Sequence, residues 1–253
     1  MEIEPKTPIS PAFSVTEDRL FSGSLRLIQP LHGHRAGTDA VLLAASTPPD
    51  TRRIADLGAA SGVVGLRAAQ LNPEARVTLV ERDAELVELA RRNMAVNDLE
   101  ARVSAMEADV LALSRVPQMR ETFDLVLTNP PFLEAGAVRS SPKGNRAAAH
   151  MMAGSLDGWV RNGVAILQPR GHLVMIHRAD ALEDVLAAFS RRLGELRLRF
   201  VHPRVDASAT RLLMSGRKGS RAPLAVLPPL VLHGDEGRFL PLAAALHAGE
   251  ARL

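Results

Sequence analysis

Thr128-Asn129-Pro130-Pro131-Phe132 is the segment whose residue types could most directly do chemistry. Two consecutive prolines fix the backbone and remove two N–H donors, so neighbouring carbonyls are left free to accept. An exocyclic amine on adenine or guanine, or an amide nitrogen, is a poor nucleophile because its lone pair is delocalised. If the Asn129 side-chain oxygen and the Pro130 carbonyl both accept hydrogens from that nitrogen, its lone pair can localise and point at an electrophilic methyl group. No strong general base is then needed, and positioning and electrostatics make the main contributions. Pro131 stiffens the same turn, and Phe132 offers a face on which a base can stack, worth ~1–3 kcal/mol. The plainer alternative is an Asn-Pro-Pro turn after a buried strand.

A second group of residues suits a nucleoside-type ligand. Asp56-Leu57-Gly58-Ala59-Ala60-Ser61-Gly62 lies between a strand pattern and a helix pattern, which places a turn of small side chains where α/β sheets bind ligands. A dinucleotide fingerprint would need glycine at the first, third and sixth positions, and the chain has Gly58, Ala60 and Val63 there. That fingerprint fails, whereas a ligand without a pyrophosphate tolerates the substitutions. Glu81 closes the next strand, where a carboxylate can accept from two ribose hydroxyls or simply face water as a strand-end acid. Asp109, just after the third strand, can accept from an adenine amino group, or serve only as a helix N-cap. Their order along the chain puts all three at one edge of one sheet.

The elements that must hold these residues are legible in the hydrophobic pattern. Strands are expected at 53–57, 76–81, 102–106 and 123–128, alternating with helices over 63–71 and after Asp83, where Leu86, Leu89, Ala90 and Met94 share one face. Segment 123–128 is the most apolar, as a parallel strand buried on both faces should be. A loop over 133–147, a helix through Trp159, a strand at 171–176, a helix near 180–192 and strands near 196–202 and 210–216 would complete a seven-stranded, mostly parallel sheet. The fold class is therefore α/β and Rossmann-like, in two parts: an N-terminal cap or lid over 1–50 and a catalytic domain over 51–253. The cap should hold short strands around Arg19 to Ile28 and a helix from Thr38 to Ala45, with a mobile first dozen residues. Pro228-Pro229-Leu230-Val231-Leu232 reads as an extended edge piece, and the final residues carry no clear signal.

Composition narrows the chemistry. No cysteine occurs among 253 residues, which excludes disulfides, thiolate nucleophiles and thiolate metal sites. No apolar run approaches the ~20 residues of a membrane span, and the start lacks a secretory pattern, so the expectation is a cytoplasmic protein. The net charge is only +3, but arginines crowd between Arg191 and Arg204, and again at Arg211, Arg217, Lys218 and Arg221. Those clusters could neutralise phosphates or could be solvated faces. His150 reads as a helix-start or surface histidine and Trp159 as packing, and the histidines show no metal-ligand spacing, so no metal is expected.

On these motifs the chain resembles class I S-adenosylmethionine methyltransferases carrying the Asn-Pro-Pro-aromatic motif, over about residues 50–217. Outside that core, Gln29-Pro30, Gly37 to Leu43 and Pro228 to Gly234 resemble the bacterial tRNA adenine-N6 methyltransferases that modify valine tRNA next to its anticodon. The resemblance implies S-adenosyl-L-methionine as cofactor, held by Asp56, Gly58, Gly62, Glu81, Asp109 and Asn129 with help from Gly37 and Thr38. It implies a catalytic set of Asn129, Pro130 and Phe132 with Pro131 also on the target base, and the basic cluster adds Arg217 and Lys218 as expected contacts to a tRNA substrate. Ala60 departs from the glycine common in that family. Guanine-N2 methylation of ribosomal RNA, glutamine methylation of a release factor, and RNA binding without turnover remain alternatives.

Overall fold

The computed structural model describes residues 14–32, 35–131 and 156–253. The expected mobile start, the loop over 133–147, His150 and Phe132 lie outside the described residues. Strands β3 (Arg53–Leu57), β4 (Arg76–Glu81), β5 (Val103–Glu107), β6 (Phe123–Thr128) and β7 (Leu167–Arg178) pair in parallel in the order β5-β4-β3-β6-β7. Beyond β7 the sheet continues with β9 (Arg211–Lys218), antiparallel to both of its neighbours, and then β8 (Leu193–His202). These are the seven expected strands. Two short pieces, β10 (Ala225–Val226) and β11 (Leu230–Val231), extend β8 in parallel, so the edge piece at Leu230 joins the sheet.

Helices cover both faces, as a sheet of buried parallel strands requires. On one face lie α1 (Thr38–Ala45), α2 (Val63–Leu71), α3 (Ala84–Val96) and α6 (Pro241–Ala248). On the other lie α4 (156–166) and α5 (Leu182–Ser190) with the 3-10 turns between Val110 and Met119. Asp83 caps α3 by accepting from the Glu85 and Leu86 amides.

The N-terminal hairpin, β1 (Val15–Leu20) and β2 (Leu25–Pro30), pairs only within itself. Leu25, Leu27, Leu42 and Leu43 are fully buried in the same core as Leu66 and Ile176. Hairpin and α1 therefore share one hydrophobic core with the sheet. Asn93 of α3 and Asn97, the residue that caps its end, lock β2 in place. Asn93 accepts from the Ile28 amide at 2.6 Å and donates to the Ile28 carbonyl at 2.7 Å, and Asn97 does the same for Arg26 at 2.9 and 2.7 Å. At positions four apart on one helix face, these amides stand in for a neighbouring strand. Among the described residues, no helix is long and apolar enough to cross a membrane.

Candidate active site

The strand registers place three of the singled-out residues in one row. Leu57 pairs with Val80 on one side and Thr128 on the other, so Gly58, Glu81 and Asn129 all stand one residue past that row, at the carboxyl edge. The chain leaves β3 toward β4 and β5 and later returns on the opposite side with β6. The row therefore sits at the switch point where open α/β sheets bind ligands. One strand further out, Glu107 pairs with Glu81, and Asp109 follows it at the same edge.

The turn after β3 has a demanding geometry. Gly58 and Gly62 have φ of +72° and +95°, and Ala60 takes a left-handed φ of +48° despite its methyl group. That left-handed alanine costs roughly 1–2 kcal/mol in local conformation. Glu81 offsets part of it, since one carboxylate oxygen accepts from the Ala60 amide at 2.9 Å. Its other oxygen accepts from the Arg82 and Asp83 amides at 2.8 and 3.1 Å. Beneath the turn, Asn93 donates to the Ser61 carbonyl, so one side chain ties the turn to the N-terminal hairpin.

Asp56 is buried under the turn and accepts from the Gly65 amide at 2.9 Å. It supports the turn from below and is not exposed at the edge. Burial pushes its carboxyl up to about 7; the Gly65 N–H opposes that shift and the nearby Glu81 carboxylate adds to it. The native state then binds more protons than the unfolded chain between the ordinary carboxylate range and pH 7. Its contribution to stability is greatest below the unfolded pKa and is lost as pH rises toward 7, at about 1.4 kcal/mol per pH unit. We expect Asp56→Asn, which keeps the acceptor, to gain stability over the native chain as pH rises from 4 to 7 and to hold that gain above 7. Urea unfolding at several pH values checks this, and a difference that stays flat from pH 4 to 8 would overturn it.

Trp159, expected only to pack, joins the site. Its indole N–H donates to the Thr128 hydroxyl at 2.6 Å, and that hydroxyl donates to the Leu57 carbonyl at 2.9 Å. A Cβ at position 58 would lie 3.1 Å from the indole ring, so a larger residue there would collide with it. Trp159 thus clamps the end of β6 against the start of the glycine turn. It is the only tryptophan in the chain, and its fluorescence should change when a ligand occupies the turn. A flat emission signal during a titration that calorimetry shows to be saturating would place the ligand elsewhere.

Asn129 itself is half-buried, and its side-chain oxygen is fully buried with no hydrogen-bond partner among the described residues. An orphaned buried acceptor costs roughly 1–3 kcal/mol and calls for an explanation. Pro130 is buried beside it and Pro131 is exposed. Asp109 is exposed and accepts from the Leu111 amide at 2.9 Å, so it is the N-cap of the following 3-10 turn with its second oxygen left over.

Gly37 and Thr38 begin α1, with open space where a Gly37 Cβ would stand. An ion pair between Asp39 and Arg211 at 2.9 Å ties that end of α1 to the start of β9. Gln29 is buried, accepts from the Ala36 amide and donates to Asp18, which also binds Arg35; this network holds the approach to Gly37. The structure does not bring Arg217 and Lys218 to the same edge, contrary to the expectation that they accompany Asn129. Because β9 runs antiparallel, its last residues lie at the amino end of the parallel strands, where Arg217 pairs with His172 of β7. There Arg217 meets Glu195 at 3.3 Å and Lys218 meets Glu121 at 3.0 Å. Among the described residues no group of acidic and histidine side chains could hold a metal ion.

The seven-stranded order, the single reversed strand β9 and the glycine turn at the switch point define a class I methyltransferase. The family model for the methyltransferase small domain matches residues 35–189, and the chain belongs to that family. It is 30% identical over 218 residues to a tRNA1(Val) (adenine(37)-N6)-methyltransferase of Porphyromonas gingivalis, covering 82% of this chain and 84% of the relative. A relative of the same description from Aeromonas hydrophila is 31% identical over 158 residues, 60% of this chain and 63% of its own. Among solved structures, an Agrobacterium tumefaciens protein described as a predicted O-methyltransferase superposes with a TM-score of 0.72 at 34% identity, covering 85% of this chain and 98% of that one. A Thermus thermophilus 16S rRNA N2 methyltransferase shares the fold, at a TM-score of 0.57 and 19% identity over 85% of this chain and 53% of that one.

Proposed function

We propose that this methyltransferase acts on the exocyclic N6 amine of adenine in tRNA, with valine tRNA next to the anticodon as the specific target. The observation that carries the reading is the buried oxygen of Asn129, unpartnered among the described residues and placed beside the glycine turn in the same edge row as Glu81. An amine bearing two hydrogens would satisfy that oxygen and the Pro130 carbonyl together. The same acceptor offers less to a hydroxyl with its one hydrogen, which favours nitrogen over oxygen as the acceptor of the methyl group. The named activity of the Porphyromonas gingivalis relative supports the choice of adenine and of tRNA.

The residues at the edge fit S-adenosyl-L-methionine. Glu81 keeps one lone-pair site, on the oxygen that accepts from Ala60, for a ribose hydroxyl after its three amide contacts, and Asp109 keeps an oxygen for an adenine amino group. Gly58 and Gly62 leave the turn without side chains, and Gly37 and Thr38 approach from the start of α1. When bound, the cofactor supplies an electrophilic sulfonium methyl. Asn129 and Pro130 then hold the amine with its lone pair directed, Pro131 keeps the turn rigid and Phe132 stacks the flipped-out base. The proton leaves the nitrogen for water as the new bond forms. Activation by oriented dipoles in a partly dry site suffices for this step.

The test is incubation of purified protein with labelled cofactor and, separately, total tRNA, ribosomal RNA, DNA and release factor. Nucleoside or peptide mass analysis should show N6-methyladenosine in tRNA. Label confined to another pool would keep the chemistry and replace the substrate.

A further inference from the structure

The structure sorts the arginines that crowd the last third of the sequence. Arg192 is held by both oxygens of Asp157 at 2.8 Å, Arg211 by Asp39 and Arg217 by Glu195. Arg199, by contrast, makes no hydrogen bond or ion pair among the described residues. Arg197 is 58% exposed and has only a 3.6 Å contact with Glu195, which it shares with Arg217.

Arg197 and Arg199 stand two apart on β8, so both point to the sheet face that carries α1. They line a cleft of ≈ 370 Å³ whose wall also holds His172, Ser46 and Ser215 and whose only acidic side chain is Glu195. Registers fix its height. Arg199 pairs with Leu213, Leu213 with Ile176, and Ile176 follows the Met175 that pairs with Thr128. Arg199 is thus level with Asn129 and three strands away, about 14 Å at ~4.8 Å per strand. Arg197 lies roughly 7 Å further down the same strand.

We infer that this cleft binds phosphodiester groups of the RNA that carries the methylated base. The inference rests on the reading that the substrate is RNA. Two guanidinium forks without a full carboxylate partner, beside the Ser215 hydroxyl, match the geometry of phosphate oxygens. The spacing from Asn129 lets one strand reach both places: Asn129 engages the base and the cleft engages the backbone beyond it. The cleft therefore contributes affinity for long substrates and nothing to the reacting atoms.

The experiment measures tRNA binding by fluorescence anisotropy over a range of salt concentrations, after methyl transfer to tRNA by the native protein has been tested. For R197Q/R199Q the slope of log K against log salt should fall by roughly 1.4–1.8, at about 0.7–0.9 per lost phosphate contact. KM for tRNA should rise ~10-fold with kcat within about twofold, since each lost phosphate contact weakens binding without touching the chemistry. The single variants should each show about half the change in slope. R115Q/R120Q removes the same charge from exposed arginines elsewhere and should leave the slope in place. Melting temperature and cofactor affinity report that each variant is folded. An unchanged slope in R197Q/R199Q, or an equal fall in R115Q/R120Q, overturns the cleft while leaving the tRNA reading intact. If the native protein neither binds nor methylates RNA, the functional reading fails and the cleft inference fails with it.

Discussion

Asn129→Ala is expected to lower kcat by on the order of 10²–10³-fold, the loss typical when one oriented polar group is removed from a transition state. Cofactor affinity should change less than about threefold, because the turn and Glu81 remain. The same substitution should leave stability unchanged or raise it by up to about 1 kcal/mol, since it deletes a buried acceptor that has no partner among the described residues. A protein that loses activity and stability together would place Asn129 among structural residues. Single-turnover kinetics, calorimetric titration with cofactor and urea unfolding of one variant therefore separate the two roles. Asn129→Asp sharpens the argument, because it keeps an acceptor but buries a charge whose solvation must be replaced.

Much of the scaffold around this residue was legible because its signals are local. The strands at 53–57, 76–81 and 123–128 have the expected bounds, each being a short apolar run closed by a turn residue or an acid. The shared edge of the glycine turn, Glu81 and Asp109 follows from alternation alone. What escaped was direction and tertiary pairing. Arg217 and Lys218 look like neighbours of Asn129 until β9 is seen to run backward. A signal for that existed: residues 203–210 hold no helix, and so short a link cannot cross over between parallel strands.

Helix α6 was missed although Pro241 sits in its first turn and Gly249 closes it at φ +80°, because a short helix built mostly of leucine and alanine shows little periodicity. Asn93 and Trp159 carry no motif. Only an asparagine on the face of α3 that holds Leu89, Ala90 and Met94 hinted that a polar group was buried there, and its partners are 32 and 65 residues away. The role of Trp159 depends on a hydroxyl at the end of a different strand.

Glu81→Ala should weaken cofactor binding by on the order of 10²-fold, since a hydrogen bond to a charged group contributes about 1.5–3 kcal/mol. The effect has a second component in the protein itself. Without the carboxylate, the Ala60 amide loses its partner while Ala60 stays in the left-handed region, so the turn that faces the ligand loosens. Glu81→Gln separates the two. Its amide oxygen can still accept from Ala60, while its nitrogen presents a donor where an acceptor is needed. We expect the glutamine variant to bind roughly 10-fold more weakly than the native chain, between the alanine variant and the parent. Asn129→Ala should leave this ranking intact, because Asn129 lies on the far side of β3 from Glu81. Calorimetric titration of the three proteins with S-adenosyl-L-methionine reads the order directly. Native-like affinity in Glu81→Ala would remove the carboxylate from the cofactor site and leave it only as the anchor of a strained turn.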